Sequence, residues 1–281
     1  MRERSQRFDP RQVMRSESFE VFHYKEPRPD GVEVHHHDFY EVYFLLDGQV
    51  EYWVDGRILR LQPGDVLLIS PLELHRPLVD AKSPVYERIV LWINKQYLEN
   101  LSGGAVLSRC FNPEIPNLIC PDAAQRTDLG ARFHELVREH YSTDFGNDLC
   151  AHGLFLQLMV ILNRLALHGK EPHQEDAQLS ELVQRTLDYI SQHIREEMTL
   201  ESIAAAFYVS KYHLSHTFSS QMGVSIHRYI MLKRLLMARQ MLLTGVPAGQ
   251  ACRVCGFSDY TSFYRAFKAE YGISPKEFAQ Q

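Results

Sequence analysis

Four of the five histidines in the first hundred residues lie in two short segments that also hold acidic side chains. One segment reads His35-His36-His37-Asp38-Phe39-Tyr40-Glu41, and the other ends in His75. Imidazole nitrogens and carboxylate oxygens are the donors that zinc, nickel, manganese and iron accept in proteins. The same groups also hydrogen-bond small polar ligands, or one another in a buried cluster. The residue types therefore leave three interpretations open: a metal site, a ligand site and a satisfied polar cluster.

The spacing of these residues favours one shared site. His35, His37 and Glu41 are separated by even numbers of residues, so on a single strand they would point to the same side. His75 would join them from a later strand, which gives a predicted metal site of His35, His37, Glu41 and His75. Such a site would hold a divalent zinc, nickel, manganese or iron ion, although no feature of the sequence requires a cofactor.

A small effector is the second interpretation of the same site. Tyr43, Tyr52 and Trp53 lie on neighbouring β-type runs, and an aromatic surface beside hydrogen-bonding groups suits a sugar ring. The same aromatic residues could also be plain core. The predicted effector-binding residues are His35, His37, Glu41, Tyr43, Trp53 and His75.

A different set of side chains is suited to a polyanion. The chain has a net charge of -5, but residues 179–281 hold 11 Lys and Arg against 8 Asp and Glu. No acidic residue occurs between Ser202 and Ser258, a stretch that holds six Lys or Arg residues. A phosphate backbone would meet attraction there without repulsion. The charge pattern predicts a nucleic-acid partner, with another partner-facing surface as the alternative.

Short β-type runs position the first set of residues. From Phe19 to about Ile93, runs rich in Val, Ile, Tyr, Phe and Trp are interrupted by Asp-Gly or Pro-Gly-Asp at intervals of about eight residues. This pattern predicts an antiparallel barrel or sandwich. Two amphipathic helices follow, at about 124–141 and 148–167. Residues 169–178 have no apolar period and predict a linker.

The last hundred residues contain one helical pattern twice. Alignment of Gly223 with Gly272 places apolar and capping residues of the two copies on one another: Leu214 on Phe263, Phe218 on Phe267, Ser225 on Ser274 and Tyr229 on Phe278. Each copy predicts a helix-turn-helix, and a helix from Ser225 to about Leu243 would join them. Thr199, Ser210 and Asp259 are the predicted N-caps. Two such units at a fixed spacing predict binding to successive turns of a DNA duplex.

The outward faces of these units carry short polar, aromatic and cationic side chains that can reach base edges and phosphates. The predicted DNA-binding residues are Lys211, Tyr212, Ser215, His216, Lys233, Tyr260, Thr261, Arg265 and Lys268.

The segment GFSDYTSFYRAFKAEYGISPKEFA, residues 256–279, resembles the signature of the AraC/XylS family of bacterial transcription regulators. The resemblance covers about residues 180–280. It implies that Tyr212, Ser215 and His216 face bases in the first unit, and Tyr260, Thr261 and Arg265 in the second. His216 stands where the family usually has Arg, and Ser219 where it often has Lys. The resemblance also implies double-stranded promoter DNA and RNA polymerase as partners, activation, and a homodimer contact through the helices at 124–141 and 148–167; the alternative is that these helices only cover the barrel.

The segment from His35 to Glu41, with Gly48, Pro63-Gly64-Asp65 and His75, resembles the double motif of the cupins, although Glu73 stands where the second motif has Gly. The expected fold is therefore α+β and multidomain. Residues 1–168 form a cupin or jelly-roll barrel with two following helices, for sensing and dimerisation. Residues 169–178 are the linker, and residues 179–281 are an all-α domain of two helix-turn-helix units joined by a long helix.

We expect a sequence-specific transcription regulator that responds to a sugar or related metabolite in the barrel and is not an enzyme. The alternative is a metal-dependent cupin enzyme, an isomerase or dioxygenase, with an attached DNA-binding domain; His36 and Tyr43 would be its acid or base candidates. The five cysteines are scattered, and no signal peptide or membrane-spanning run is expected, which predicts a cytoplasmic protein. Cys252 and Cys255 form a CxxC pair that we interpret as core.

Overall fold

The computed structural model describes residues 12–26, 32–79, 85–101, 107–168 and 179–280. The chain divides into two compact units, Met1–Ala177 and Gln178–Gln281. The predicted linker, residues 169–178, lies outside the described residues.

The first unit contains two antiparallel sheets. Its described strands are β1 (Phe19–Glu26), β2 (Tyr40–Asp47), β3 (Val50–Val54), β4 (Arg57–Leu61), β5 (Val66–Ile69), β6 (His75–Val79), β7 (Tyr86–Ile93) and β8 (Leu118–Ile119). One sheet has the order β1-β7-β2-β5-β8, and the other has the order β4-β3-β6. The expected antiparallel β domain is confirmed.

Helices cover one face of the five-stranded sheet. They are α1 (Lys95–Leu101), α2 (Ala123–His140) and α3 (Asn147–His168). Phe133 of α2 stacks on Phe44 of β2 at 4.6 Å between ring centroids, and Phe155 of α3 stacks on Phe19 of β1 at 4.6 Å. These pairs lie in one buried core between the sheet and the helices.

Helix α3 is more apolar than expected. By length and composition its 22 residues could cross a membrane, since an 18-residue window has a mean hydropathy of 1.5, whereas no such run was expected. Phe155, Leu158, Met159 and Leu162 are buried in the core against the sheet, which accounts for part of this composition.

Strand β2 separates two cores because successive side chains point to opposite faces. Tyr40, Val42 and Phe44 face the helices. Tyr43 and Leu45 lie in a second buried core between the two sheets. Glu41 points to the same side of β2 as Tyr43 and Leu45, so its carboxylate lies in the space between the sheets.

The second unit is helical throughout its described elements. They are α4 (Glu181–His193), α5 (Leu200–Ala206), α6 (Lys211–Met222), α7 (Ile226–Leu243), α8 (Ala248–Val254), α9 (Tyr260–Tyr271) and α10 (Pro275–Phe278). The expected tandem helix-turn-helix architecture, with α7 as the joining helix, is confirmed.

The internal repeat is visible in matching details. Helices α6 and α9 both end at a left-handed glycine, Gly223 with φ 65° and Gly272 with φ 79°. Phe218 meets Tyr229 edge-on at 5.8 Å, and Phe267 meets Phe278 edge-on at 5.5 Å. The predicted N-caps are also confirmed, because the side chains of Thr199, Ser210 and Asp259 each accept a hydrogen bond from a backbone N–H in the first helical turn.

Candidate DNA-binding surface and effector site

Helix α6 presents the predicted reading face of the first unit. Leu214 and Phe218 are fully buried, which turns the opposite side of the helix to solvent. Lys211, Tyr212 and His216 are exposed there, and Ser215 is half-exposed. The rings of Tyr212 and His216 lie nearly parallel, 6.1 Å apart. The Nζ of Lys211 is 3.0 Å from Oε1 of Glu201, so a phosphate that binds Lys211 would compete with this carboxylate.

Helix α9 presents the corresponding face of the second unit. Phe263 and Phe267 are fully buried. Tyr260, Thr261, Arg265 and Lys268 are exposed, as the repeat predicts. The Asp259 carboxylate accepts from the backbone N of Ser262 at 2.8 Å and fixes the start of the helix. Hydrogen bonds to the carboxylate lower the pKa of Asp259, and the bond from the backbone N of Ser262 lowers it most.

The cations of the joining helix α7 interact with their own unit. The side chains of Arg228, Lys233, Arg234 and Arg239 are each half-buried. Arg234 donates from Nε to the carbonyl of Ile194 at 3.0 Å, and Arg228 is 2.9 Å from Glu270. Lys233 and Arg239 lie over aromatic rings at 5.9 and 5.4 Å. Arg234 and Arg228 therefore stabilise the domain, and the phosphate role of Lys233 stays a prediction.

The four predicted site residues of the barrel approach one another, but not from one strand. Strand β2 begins only at Tyr40, so the parity argument that placed His35, His37 and Glu41 on one strand is wrong. His35 instead forms an isolated antiparallel bridge with His75, with N···O distances of 3.1 and 3.0 Å in the two directions. Residues 36–39 form no regular secondary structure, and they bring His37 into the same buried space as His75.

Three of the four residues form a compact donor cluster. One ligand atom from each of His37, Glu41 and His75 lies within 4.8 Å of the others, and all three residues are buried. His35 packs beside them, with its ring centroid 4.3 Å from that of His75. Burial, and proximity to the neighbouring imidazole, lower the pKa of His35 and of His75 well below the usual histidine value. Both rings are therefore neutral near pH 7.

The Glu41 carboxylate has a partner that the sequence did not reveal. The indole Nε1–H of Trp92 donates to Oε2 of Glu41 at 3.0 Å, and the same oxygen is 3.2 Å from Nε2 of His37. Trp92 lies opposite Glu41 in the β2–β7 pairing. It orients the carboxylate toward the imidazoles.

The predicted aromatic surface is only partly present at this site. The Tyr52 ring is near-parallel to His75 at 6.2 Å, and the Tyr43 hydroxyl donates to that of Tyr86 at 2.7 Å. Trp53 is fully buried, but it pairs with Arg76 on β6, whereas the next residue, Val54, pairs with His75. Paired residues share a face and successive residues alternate. Trp53 therefore points away from His75, and its assignment to this site is wrong.

The two units thus define a class of protein: a ligand-binding β domain joined to a tandem helix-turn-helix, which is the architecture of an effector-responsive transcription regulator. Comparison with known families agrees. Residues 20–159 match the AraC-like ligand binding domain, and residues 203–281 match a helix-turn-helix domain. The chain belongs to the AraC family of transcription regulators.

Three bacterial relatives are similar to this chain at low identity. The transcriptional activator RhaS of Salmonella heidelberg is 25% identical over 88% of this chain and 87% of its own length. The arabinose operon regulatory protein of Salmonella typhimurium is 26% identical over 80% and 77%. The probable transcriptional regulator LumQ of Photobacterium leiognathi is 33% identical over 32% of this chain and 37% of its own length. This chain is a transcription regulator with a DNA-binding domain and a ligand-binding domain.

Proposed function

We propose that this protein is a cytoplasmic, sugar-responsive transcription activator that binds promoter DNA through α6 and α9. The observation that carries the proposal is the pair of equivalent helices, each with two buried apolar anchors and an exposed polar face. Arg265 on α9 presents a guanidinium that suits bidentate contact with a guanine edge. Tyr212 and His216 on α6 take the equivalent role in the first unit.

Selection of bound duplexes from a random library by the full-length chain tests the DNA-binding residues. Arg265→Ala should weaken binding to the selected sequence by ~1–3 kcal/mol and relax the choice at one base pair. Arg138→Ala is the matched control, because it removes another exposed guanidinium, from α2 in the first unit. Equal affinities of both variants and the parent chain would refute the assigned reading faces.

The effector is proposed to be a sugar or a related polar metabolite bound between the two sheets. Imidazole, carboxylate and phenol groups line this space beside the aromatic rings of Tyr43 and Tyr52. Two relatives support the proposal, because one regulates an arabinose operon and both are regulators of matching length. A thermal-shift screen of the full chain against pentoses, hexoses and sugar acids tests it. A sugar that raises the melting temperature and changes DNA affinity supports it, and a full panel without effect contradicts it.

A homodimer through α3 is the proposed assembly. Leu149, Leu156 and Val160 recur at spacings of seven and four residues on α3, and their side chains are 79%, 38% and 37% exposed. Such a stripe is apolar surface that a second copy would cover. Leu156→Glu should convert the dimer to a monomer in sedimentation, and Gln157→Glu, beside it but off the stripe, should not. A monomeric parent chain would refute this assembly.

RNA polymerase is the proposed partner at the promoter, since the RhaS relatives carry the description of transcriptional activators. In vitro transcription from a promoter that carries the selected DNA sequence measures this directly. Activation by the parent chain, and its loss with Arg265→Ala, is expected. A chain that only lowers the transcript yield would contradict the proposed activation.

The enzymatic alternative makes a different prediction for the barrel. An isomerase or dioxygenase would consume the sugar that binds, whereas a sensor leaves it unchanged. We propose the sensor, because the matched relatives are regulators over most of their length. Recovery of the sugar after overnight incubation, followed by NMR, separates the two.

A further inference from the structure

The turn of the first helix-turn-helix has a tyrosine where the second has a glycine. The backbone N–H of Tyr208 donates to the carbonyl oxygen of Ala205 at 3.2 Å. The next N–H, that of Val209, donates to the carbonyl oxygen of Ala204 at 3.1 Å, which closes the end of α5. The N–H of Gly256 closes α8 in the same way. This kind of helix end holds one residue in the left-handed region, which suits glycine, yet Tyr208 adopts it with φ 56°.

The ring of Tyr208 does little to offset that conformational cost within its own unit. Tyr208 is 97% exposed, and its side chain makes no hydrogen bond or ring contact with another described residue. Strained backbone conformations in proteins concentrate at binding sites, where the strained residue has a use outside the fold. An exposed tyrosine in a strained turn therefore indicates a contact with a partner.

Tyr208 lies beside the reading helix of the first unit. It precedes Ser210, the N-cap of α6, by two residues, and Tyr212 follows in the first turn of that helix. Tyr208 and Tyr212 are the two most exposed tyrosines of the described residues, at 97% and 78%. In a docked helix-turn-helix the first helix crosses the sugar–phosphate backbone and the second enters the major groove. The turn between them lies at the edge of the groove, where a phosphate is the nearest DNA group.

The first unit has fewer cations for phosphates than the second. Helix α6 carries one Lys or Arg residue, Lys211, and its Nζ is 3.0 Å from the carboxylate of Glu201. Helix α9 carries two, Arg265 and Lys268. A tyrosine hydroxyl donates a hydrogen bond to a phosphate oxygen without adding a charge. Such a bond would position the first unit on the duplex, where few ion pairs do so.

We propose that the hydroxyl of Tyr208 donates a hydrogen bond to a phosphate at the edge of the major groove that α6 enters. The contact sets the register of the first unit on the duplex and carries no base specificity. This inference rests on the proposed DNA-binding function, and it adds a contact outside the two reading helices. The second unit has no equivalent contact, because Gly256 stands at this position.

Removal of the hydroxyl alone tests the bond. Tyr208→Phe keeps the ring and the backbone, and it should weaken binding of the full chain to the selected duplex about tenfold. Affinity for a random-sequence duplex should fall by the same factor, because a phosphate contact does not distinguish bases. The salt dependence should stay the same, because the hydroxyl is neutral. Tyr141→Phe is the matched control, since it removes the hydroxyl of another exposed tyrosine, in the first unit. Equal affinities of Tyr208→Phe and this control would overturn the proposal.

Single methylphosphonates along the selected duplex locate the partner of the hydroxyl. Each replaces one phosphate oxygen by a methyl group. At one phosphate the replacement should weaken binding of the parent chain and have a much smaller effect on Tyr208→Phe, because the bond is already lost in the variant. Losses that add at every phosphate would contradict a direct bond.

Tyr208→Gly separates a contact with DNA from support of the fold. The variant removes both the ring and the strain, so the melting temperature of the second unit should rise while DNA affinity falls at least as far as with Tyr208→Phe. A fall in both quantities would show a structural role and refute the contact. Unchanged DNA affinity with a loss of transcription activation would also refute it, because Tyr208 would then contact a protein.

The behaviour of the parent chain and of Arg265→Ala distinguishes failure of this contact from failure of the proposed function. A parent chain that selects no duplex would refute both. A parent chain that binds its selected duplex, and is weakened by Arg265→Ala but not by either Tyr208 variant, would refute the Tyr208 contact alone.

Discussion

At the scale of single residues, the buried thiols are protonated and inert. Burial raises the pKa of Cys110 to about 12 and that of Cys255 to about 11. The Sγ of Cys255 lies 3.7 Å from Sδ of Met241, and Cys252 is buried in the same core of the second unit. Because the thiolate is the reactive and metal-binding form, the CxxC pair acts as core, as the sequence was interpreted.

Alkylation by iodoacetamide at pH 8 measures the reactivity of each thiol directly. Cys150 is exposed and should be labelled first. Cys110 and Cys255 should react roughly a hundredfold more slowly, because little thiolate forms at that pH and the reagent has no access. Peptide mass spectrometry gives the rate at each site, and labelling in guanidinium, where all cysteines should react alike, is the control. Fast labelling of Cys255, or a Cys252–Cys255 disulfide in the native chain, would contradict the core assignment.

Sequence predicted the members of the barrel cluster but not its construction. His35, His37, Glu41 and His75 could be selected because they are donor types at short spacing. Trp92 could not, because it meets Glu41 only when β2 pairs with β7, and the two residues are 51 positions apart. Trp53 was misplaced for a related reason, since the face of a strand depends on where its pairing begins.

At the scale of elements, the turns of the two helix-turn-helix units have different residues at one left-handed backbone position. Tyr208 has φ 56° and Gly256, the equivalent residue of the second unit, has φ 80°. A side chain in this left-handed region costs roughly 1–2 kcal/mol, which glycine avoids. The side chain of Tyr208 is 97% exposed, so little packing offsets that cost. A Cβ on Gly256 would also lie 2.8 Å from the carbonyl oxygen of Ile194.

Substitutions at the two turns should therefore have opposite effects. Tyr208→Gly should raise the free energy of unfolding of the second unit by up to about 1 kcal/mol, after the greater freedom of glycine in the unfolded chain is allowed for. Gly256→Ala should lower it by at least about 1–2 kcal/mol. Urea unfolding followed by circular dichroism gives both values. Tyr208→Ala is the control, because it removes the ring and keeps the Cβ; a gain equal to that of Tyr208→Gly would show that strain is not the cause.

Helix limits were predictable to within about two residues because their signals are local. Ser210 and Asp259 begin α6 and α9, and left-handed glycines end both helices, as the sequence indicates. The start of β2 was not predictable in this way. The alternating pattern continues back to His35, but the backbone leaves the strand before Tyr40 so that His35 can pair with His75. That pairing is a tertiary contact, and no neighbour in sequence encodes it.

At the scale of the whole molecule, sensing and DNA binding reside in two units with separate cores. Their charges also differ: residues 1–178 hold 19 Lys and Arg against 27 Asp and Glu, and residues 179–281 hold 11 against 8. Attraction to phosphate therefore belongs to the second unit, and the first unit opposes it at long range. An effector can change DNA binding only by favouring one state of the full chain over another.

This division predicts how a fragment of residues 179–281 differs from the full chain. The fragment should bind the selected DNA sequence with an affinity that the sugar from the thermal-shift screen does not change.

In the full chain the sugar should change DNA affinity by some factor, and saturating DNA must change sugar affinity by the same factor, because the coupling free energy is shared. Fluorescence anisotropy for DNA and calorimetry for the sugar give the two factors independently, with Arg265→Ala as the control that weakens DNA binding and keeps sugar binding. A fragment that still responds to the sugar would place the effector site in the second unit, and a DNA affinity of the full chain that saturating sugar leaves unchanged would contradict the coupling.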